Sequence, residues 1–323
     1  MTTTIKQLVT RRTLLKTISV GALAASMPFG TAQTQSREFR IGHQKGFLSI
    51  LKSRGTLEKR LTPLGVSVKW IEFLSGPPQL EALNVGSIDF GDVGEAPPIF
   101  AQAAGAPLVY YGATVARPQQ EAVIVPKGSP IRSVAELKGK KVALNRGSNV
   151  QYFLAKLLPK HGLSYGDVNL LFLPPTDARA AFERGSIDAW VIWDPFLAAA
   201  ERQIEARVLA DARGVVNNRG YYFTSKQYQA KNDDLLRIAL EEVTSVEAWA
   251  AANRAPAADE LARVLGLERS ILDLAVNRGG YGVIPINRSI IAEQQEIADT
   301  FFELKLIPKR ISVADAAPAN LSI

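Results

Sequence analysis

The segment VALNRGSNVQYFLAKLL, residues 142–158, joins a strand-like run to a helical pattern, and its junction carries residues suited to binding an anion. Apolar residues recur at helical spacing from Val150, which predicts a helix beginning near Asn149 with Ser148 or Asn149 as its N-cap. First-turn N–H groups lack intrahelical partners and carry about half a positive charge, so they bind anions without a formal cation. Arg146 adds a cation, and Gly147 permits a tight turn with close ligand approach. On the simpler alternative, Ser148 and Asn149 merely cap the helix.

Two further loops resemble this junction. QKGF places Gln44, Gly46 and Phe47 after a strand-like run, and VGEAPP places Gly94 and Glu95 after another. The prolines of the second loop fall near a helix start, where a missing N–H costs least. Backbone donors from several loops would therefore converge on one ligand.

The segment IWDPF places an indole at the mouth of a fourth loop. Trp193 follows a strand and precedes an Asp-Pro break, so it would provide an apolar wall with one donor, suited to a ligand with a polar head and a hydrocarbon body. Phe196 is better interpreted as a core aromatic. Asp194 and Glu95 would either bind a ligand amine or pair with Lys and Arg across a cleft, and spacing leaves both alternatives open.

Cations near these loops favour an anionic ligand, while the motifs of catalysis are missing from the sequence. Lys45, Arg117 and Arg146 would add charge-assisted hydrogen bonds worth roughly 1.5–3 kcal/mol each. His43 and His161 are too far apart in sequence to suggest a metal site. The chain contains no Gly-x-Ser-x-Gly or Walker A motif. We therefore predict a binding protein with no catalytic residue, metal or cofactor.

The first 32 residues have the pattern of a secretory signal peptide. Basic residues precede an apolar run from Ile18 to Met27, and small residues follow at 30–32. The pair Arg11-Arg12 in TRRTLLK resembles a twin-arginine signal, and an ordinary signal is the alternative. The apolar run is shorter than the roughly 20 residues that span a bilayer. We expect export to the periplasm with removal of this segment.

Cysteine is absent from the chain, which excludes disulfides, a thiol nucleophile and a lipid-attachable cysteine. We therefore expect no lipid anchor. The first 32 residues hold four of the 38 basic residues and none of the 31 acidic ones, so the formal charge falls from +7 to +3 without them. No basic stripe indicates nucleic-acid binding.

The spacing of apolar residues along the chain predicts two α/β units in series, followed by a helical tail. Strand-like runs alternate with helical patterns, which implies mostly parallel sheets. The tail from about Asn232 shows apolar residues at spacings of three and four. The runs are 39–44, 66–73, 108–115, 121–126, KKVAL, VNLLFL and AWVIW.

An internal repeat supports the two units. LEALNVGSIDFGDVGE begins at Leu80 and RAAFERGSIDAWVIWD at Arg179, so that both contain Gly-Ser-Ile-Asp. Each copy ends a short helix with glycine and enters a buried strand. The predicted division is 33–120 and 214–323 for one lobe and 121–213 for the other, with crossings near 115–124 and 208–222. Ligands of open α/β sheets bind where such loops gather.

The residues RIGHQKG, GPPQLEALNVGSIDFGDVGEAPPIFAQAAGAPLVYYG, VAELKGKKVALNRGSN, TDARAAFERGSIDAWVIWDPF and LIPKRI resemble the aliphatic sulfonate-binding proteins of ABC importers. The resemblance implies a type II periplasmic-binding fold, whose two lobes close on a ligand. It also implies a monomeric receptor that delivers organosulfonates to an inner-membrane permease for sulfur acquisition. Receptors for taurine, nitrate or bicarbonate, or a thiamine-pathway pyrimidine are the alternatives, followed by an enzyme on the same fold.

The resemblance, together with the loop pattern, also assigns the contacts. Sulfonate oxygens would be held by Gly46, Gly94, Ser148 and Asn149, with Gln44 as a further polar contact. Aromatic and apolar residues would flank the organic part, namely Phe47, Pro78 and Trp193. Glu95, Arg146, Gly147 and Asp194 complete the predicted set. A glutamate at position 95 departs from the aspartate of the nearest family members, which puts a preference for amine-bearing sulfonates in doubt.

Overall fold

A computed structural model of the protein describes residues 37–318, and the predicted signal peptide lies outside this range. The strands are β1 (Arg37–His43), β2 (Val66–Glu72), β3 (Phe90–Gly94), β4 (Leu108–Thr114), β5 (Glu121–Val125), β6 (Lys141–Leu144), β7 (Asn169–Phe172), β8 (Ala189–Trp193), β9 (Arg207–Asp211), β10 (Gly220–Ser225) and β11 (Val283–Ile284).

Helices alternate with the strands up to β10 and then dominate. They are α1 (Phe47–Arg54), α2 (Thr56–Leu61), α3 (Gly76–Asn84), α4 (Pro97–Ala103), α5 (Asn149–Lys160), α6 (Pro175–Glu183), α7 (Phe196–Gln203), α8 (Lys226–Ala252), α9 (Arg254–Leu265), α10 (Arg269–Arg278) and α11 (Arg288–Glu303). None of the helices within residues 37–318 is long and apolar enough to cross a membrane.

Two separate sheets form the centres of two lobes. The first sheet has the order β11-β4-β10-β3-β1-β2 and the second the order β7-β6-β8-β5-β9. Strands β1 to β4 run in one direction, and β10 and β11 oppose them. In the second sheet only β5 opposes the other strands. The predicted two-lobed α/β class with mostly parallel sheets is confirmed, and the opposed strands β5 and β10 are those that enter each sheet from the other one.

The Gly-Ser-Ile-Asp repeat forms the same turn twice. Gly86 and Gly185 adopt left-handed φ values of 69° and 66°, which glycine tolerates without steric cost. The following serine N–H donates back to the helix in both copies, at 2.7 Å from Ser87 to Ala82 O and at 2.9 Å from Ser186 to Ala181 O. The predicted glycine ends of α3 and α6 are confirmed.

The aspartate at the end of each repeat accepts a hydrogen bond from the backbone of a neighbouring strand. Asp89 Oδ2 accepts the Arg40 N–H of β1 at 2.8 Å, and Asp188 Oδ2 accepts the Lys141 N–H of β6 at 2.7 Å. Asp89 also pairs with the Arg40 guanidinium, with Oδ1 2.6 Å from Nη2. The repeat therefore fixes where β3 and β8 enter their sheets, and the five residues of each strand then lead to the loops at the opposite end.

The helical tail begins earlier than its pattern predicts. Helix α8 begins at Lys226, where the Ser225 side chain caps it by accepting the Tyr228 N–H at 3.1 Å. Asn232, the predicted start, instead has non-helical φ and ψ values and marks a kink. The two-residue strand β11 also interrupts the tail. Apolar residues of α8, α9 and α10 share a buried core with β1 and α1, so the tail packs on the first lobe.

Candidate functional site

A cavity of about 200 Å³ is lined by the four strand-to-helix loops that the sequence singles out. The loop before α1 and the loop between β3 and α4 belong to the first lobe. The loops before α5 and α7 belong to the second lobe. Eight predicted site residues line the cavity: Gln44, Gly46, Phe47, Gly94, Ser148, Asn149, Trp193 and Asp194.

The N-terminus of α5 is left uncapped by its own side chains. Ser148 stands at the N-cap in an extended conformation, but its hydroxyl donates to Asn145 O at 2.7 Å. The hydrogen bonds of the first turn begin with the Gln151 N–H, 3.0 Å from Ser148 O. The N–H groups of Ser148, Asn149 and Val150 precede this bond, as at any helix start. The simpler cap alternative is therefore wrong for the Ser148 side chain, and backbone donors remain available to an anion.

The N-terminus of α1 offers a second set of donors. Gly46 is the N-cap with extended backbone, and its carbonyl accepts the Ser49 N–H at 3.0 Å. The N–H groups of Phe47 and Leu48 thus precede the first bond of this helix. No atom lies within 4 Å of the place where a Cβ on Gly46 would stand, so the backbone is open to a ligand.

Asn149 spans the two lobes. Its Nδ2 donates to Asn218 Oδ1 at 2.7 Å, and its Oδ1 accepts the Ala96 N–H at 3.4 Å. A Cβ on Gly94 would lie 2.0 Å from Asn149 Oδ1, so only glycine permits this approach. Asn218 in turn donates to Arg117 O at 3.0 Å. These contacts join the loops after β3 and β6 to the segment leading into β10.

Phe47 and Trp193 form the aromatic part of the cavity wall. The Phe47 ring contacts Tyr281 with a centroid separation of 5.4 Å. Trp193 is half-buried and packs edge-on against Phe196 at 6.0 Å. Phe196 packs on the core of the second lobe and does not line the cavity, in agreement with its interpretation as a core aromatic.

Buried charges at the cavity are mostly paired. Arg117 Nη2 lies 2.6 Å from Glu247 Oε2, and the Tyr222 hydroxyl donates to Glu247 Oε1 at 2.8 Å. Burial raises the pKa of Asp92 to about 7, which reduces its negative charge near neutral pH. Lys45 also lines the cavity, and none of the ion pairs within residues 37–318 includes it. The charge balance therefore favours an anion.

Asp194 forms an ion pair with Arg278 across the cleft. Its Oδ1 accepts the Ala198 N–H at 3.0 Å and the Arg278 guanidinium of α10 at 3.1 Å. Burial raises the pKa of this carboxyl to about 7, and Arg278 opposes that rise. Of the two open alternatives, the geometry favours the ion pair over a ligand amine.

Glu95 follows β3 directly and is buried outside the cavity lining. Its Oε2 accepts the Arg219 N–H at 2.9 Å, and its Oε1 is buried without a hydrogen-bond partner. Burial raises the pKa of Glu95 to about 7, against the opposing effect of Arg219. The carboxyl is directed away because the chain entering β10 lies alongside it and supplies the donor.

Three other predicted residues also lie outside the cavity lining. Pro78 is exposed near the start of α3. The Arg146 side chain is exposed, and its guanidinium stacks on the Phe172 ring at 4.1 Å from the centroid. Gly147 is buried with a φ of 69°, and a Cβ there would lie 3.5 Å from Phe100. Gly147 therefore permits the turn, and the following residues Ser148 and Asn149 line the cavity.

The sequence did not indicate several lining residues, because they approach from distant parts of the chain. Asn218, with a left-handed φ of 49°, is the exception, since Asn-Asn-Arg-Gly before a strand is a turn signal. Within residues 37–318, no cluster of three or more His, Cys, Asp or Glu side chains is suited to a metal ion. The remaining lining residues are Leu48, Gly76, Asp92, Val93, Pro97, Thr114, Gln120, Pro195, Arg219, Gly220, Tyr221, Tyr222, Glu247, Leu261, Leu265, Leu272, Ala275 and Val276.

Comparison with known proteins gives consistent matches over most of the chain. Residues 64–258 match the family model described as NMT1/THI5 like. A protein of Escherichia coli (strain K12) with the provisional name aliphatic sulfonates-binding protein is 39% identical over 305 residues, which cover 94% of this chain and 95% of that protein.

Two solved structures share the fold at similar identity. The alkanesulfonate-binding protein SsuA from Xanthomonas axonopodis pv. citri, bound to MOPS, is 38% identical with a TM-score of 0.83, covering 87% of this chain and 98% of that one. The periplasmic aliphatic sulphonate binding protein SsuA from Escherichia coli is 39% identical with a TM-score of 0.79, covering 87% and 91%. Both are sulfonate-binding proteins.

Proposed function

This chain belongs to the aliphatic sulfonate-binding protein family, and from that premise we propose that it is a periplasmic receptor for aliphatic sulfonates. It captures the ligand between its lobes and delivers it to the permease of an ABC importer for sulfur acquisition. The observation that carries the proposal is the uncapped start of α5 at the cavity, which is lined by Ser148 and Asn149, whose N–H groups precede the first hydrogen bond of the helix.

The chemistry of a sulfonate suits these donors. Its three oxygens accept several hydrogen bonds, and the group stays ionised at physiological pH, so no proton donor or acceptor is needed to select it. Helix N-termini provide partial positive charge in a fixed direction. Unpaired Lys45 adds a full charge at the same cavity. The half-buried rings of Phe47 and Trp193 then suit the organic part.

Binding without turnover is supported by the way the polar groups are engaged. The Ser148 hydroxyl donates to Asn145 O, and His43 is buried with its Nδ1 3.2 Å from Gln44 O. Burial lowers the pKa of His43, which favours the neutral ring. Neither arrangement resembles a nucleophile held by a base.

Capture would work by closure of two lobes on one ligand. We propose that residues 33–120 and 214–323 form one lobe and that residues 121–213 form the other. Contacts from α1 and α5 then reach the same anion only when the lobes meet, so the ligand favours the closed state. We propose that the exported protein acts as a monomer without a lipid anchor.

Calorimetric titration with methanesulfonate, octane-1-sulfonate, taurine, nitrate and sulfate tests the ligand class. We expect an alkanesulfonate to bind with a Kd near 1 μM, about −8 kcal/mol. Binding of nitrate or taurine with no response to alkanesulfonates would contradict the proposal.

A pair of variants at Asn149 tests the helix N-terminus. Asn149→Ala and Asn149→Pro both remove the amide contacts to Asn218, but only proline also removes an N–H. Proline is tolerated at the first helical position, and the extended ψ of 170° at Ser148 suits a following proline. We expect Asn149→Pro to bind sulfonate at least tenfold more weakly than Asn149→Ala. Equal affinities of the two variants would mean that this N–H does not contact the anion.

A further inference from the structure

Helix α7 of the second lobe packs against helix α10 of the first lobe at one edge of the ligand cavity. At one end of this contact, Arg278 of α10 reaches Asp194 just before α7, with Nη1 3.1 Å from Oδ1. At the other end, Gln203 of α7 donates from Nε2 to Glu268 Oε1, just before α10, at 3.1 Å. The pairing of opposite ends shows that the two helices run antiparallel.

The two faces of α7 belong to different cores. Leu197 and Ala200 are buried in the core of the second lobe. Ala198 and Ala199 are instead buried with first-lobe residues such as Leu272 of α10. Because one face of α7 is part of the core of the second lobe, the contact on its other face crosses between the lobes.

Arg278 joins two carboxyls of the second lobe at once. Its Nη1 lies 3.1 Å from Asp194 Oδ1, and its Nη2 donates to Glu201 Oε2. The Asp194 carboxyl also accepts the Ala198 N–H at 3.0 Å, so it is fixed at the start of α7. The side chains of Arg278 and Asp194 are only 15% and 5% exposed, which sets this cluster apart from a solvated surface ion pair. A guanidinium presents its donors in a planar fork, so it can serve two acceptors in fixed directions.

The first lobe holds Arg278 at the end of α10. Arg278 is the last residue of this helix, where a positive charge interacts favourably with the helix dipole. Next to it, the Tyr281 hydroxyl donates to Val276 O at 2.5 Å, and the Gly279 N–H donates to the same carbonyl at 3.3 Å. The guanidinium is therefore attached to the first lobe, whereas both of its carboxyl partners belong to the second.

We propose that Arg278 is a positioning residue that holds the two lobes closed over the ligand without touching the ligand. Asp194 lines the cavity on one side of the α7–α10 contact, and Val276 lines it on the other. Arg278 itself lies outside the lining. Separation of the lobes along this edge therefore requires the Arg278 contacts to break. This inference rests on the proposed function, because closure is taken to be closure on a sulfonate.

The Arg278 contacts act on ligand release more than on ligand capture. They exist only while α7 meets α10, so the open protein meets its ligand without them. Breaking them is part of opening, so their loss should raise the dissociation rate constant and leave the association rate constant unchanged. Because Arg278 does not touch the ligand, the effect should be equal for a short and a long sulfonate.

Stopped-flow tryptophan fluorescence of the full exported chain, with methanesulfonate and octane-1-sulfonate at pH 8, tests this role. Trp193 reports on the cavity, and pH 8 keeps most of the Asp194 carboxyl ionised because burial raises its pKa to about 7. We expect both ligands to dissociate about tenfold faster from Arg278→Gln, the equivalent of about 1.4 kcal/mol, with association rate constants within twofold. Arg202→Gln, at an exposed arginine next to Glu201 on α7, is the matched control and should leave all rate constants within twofold.

A second variant keeps the test valid if Arg278→Gln misfolds. Glu201→Gln removes one of the two carboxylates that Arg278 binds, so it should speed dissociation of both ligands about threefold. The double variant should dissociate no faster than about tenfold, because both changes remove the same contact.

Three results would overturn the role of Arg278 and leave the proposed function standing. They are unchanged dissociation from Arg278→Gln, multiplied effects in the double variant, and an effect confined to one of the two chain lengths. Failure of the unaltered protein to bind any sulfonate would overturn both.

Discussion

The two copies of the repeat, residues 80–95 and 179–194, share one frame and differ at the cavity. Both have a glycine turn after a helix, at Gly86 and Gly185, and an aspartate that fastens the next strand. At their carboxyl ends, Gly94 presents bare backbone, whereas Trp193 presents an indole. At Gly94 the first lobe leaves room for the Asn149 side chain of the second lobe. At the equivalent position the second lobe places the indole of Trp193 as an apolar wall.

The residues that follow diverge in a similar way. Glu95 lies outside the cavity beside the Arg219 N–H, and Asp194 is paired with Arg278. The repeated frame positions the loops, and the last two residues of each copy decide what each loop does. Ligand chemistry can therefore change at these positions without disturbing the turn or the strand.

The largest effect is expected from giving Gly94 a side chain. Gly94→Val would overlap the Asn149 amide, whose nearest atom lies 2.0 Å from the Cβ position, and the lobes could no longer meet. We expect sulfonate affinity to fall hundredfold or more, about 3 kcal/mol. Gly128→Ala, at an open position, is the calorimetric control.

The Gly94 variant also allows a rescue. All three nearest atoms belong to Asn149, so Gly94→Ala combined with Asn149→Ala should bind more tightly than Gly94→Ala alone. Unchanged affinity in Gly94→Val would remove the contrast between the two copies.

A smaller effect is expected at the two carboxyls. Burial raises the pKa of Glu95 to about 7, so between about pH 5 and pH 7 the folded chain holds a proton that the unfolded chain releases. Stability should therefore fall as pH rises through this window, by at most about 1.4 kcal/mol per pH unit. Glu95→Gln should remove the part of this fall that Glu95 contributes, leave the parts from Asp92 and Asp194, and raise stability at pH 8 by about 2 kcal/mol, measured by urea unfolding.

Asp194→Asn is the counterpart to that experiment. Burial raises the pKa of Asp194 to about 7 as well, so Asp194→Asn should also raise stability at pH 8, but by less than Glu95→Gln because Arg278 loses a partner 3.1 Å away. A gain for Asp194→Asn as large as that for Glu95→Gln at pH 8 would show that the two carboxyls are equivalent after all.

The smallest effect is expected within the shared frame. Asp89→Asn and Asp188→Asn keep an oxygen for the strand N–H, but only the first also loses an ion pair, that with Arg40. We expect losses of about 1 kcal/mol for Asp89→Asn and about 0.5 kcal/mol for Asp188→Asn in urea unfolding. A larger loss at Asp188 would mean that the frame of the second lobe depends more on its aspartate.

Local sequence patterns predict much of the fold because they reflect local physics. The start of α5 at Asn149, the glycine turns and the strands of both units follow from period and backbone preference, and the structure confirms them. Strands β9 and β10 were not among the predicted runs, and their place in the sheets depends on antiparallel pairing with distant strands, of β9 with β5 and of β10 with β3 and β4. Strand β11 has only two residues and depends on pairing with β4.

The sequence predicts the site residues that lie in strand-to-helix loops. It does not predict those that reach the cavity from distant parts of the chain. Gln44, Gly46, Gly94, Ser148 and Asn149 line the cavity because strand ends gather there. The orientation of Glu95 depends on Arg219, 124 residues away in the chain. The helical period of α9 and α10 predicts an apolar face but not which cavity that face will line.

A crystal structure of the protein with octane-1-sulfonate is the most direct test. We predict sulfonate oxygens within about 2.7–3.2 Å of the N–H groups at the start of α5. The carbon chain should run past Phe47 and Trp193, which line the cavity. A sulfonate bound away from the starts of both α1 and α5 would contradict the central claim that bare helix N-termini hold the anion.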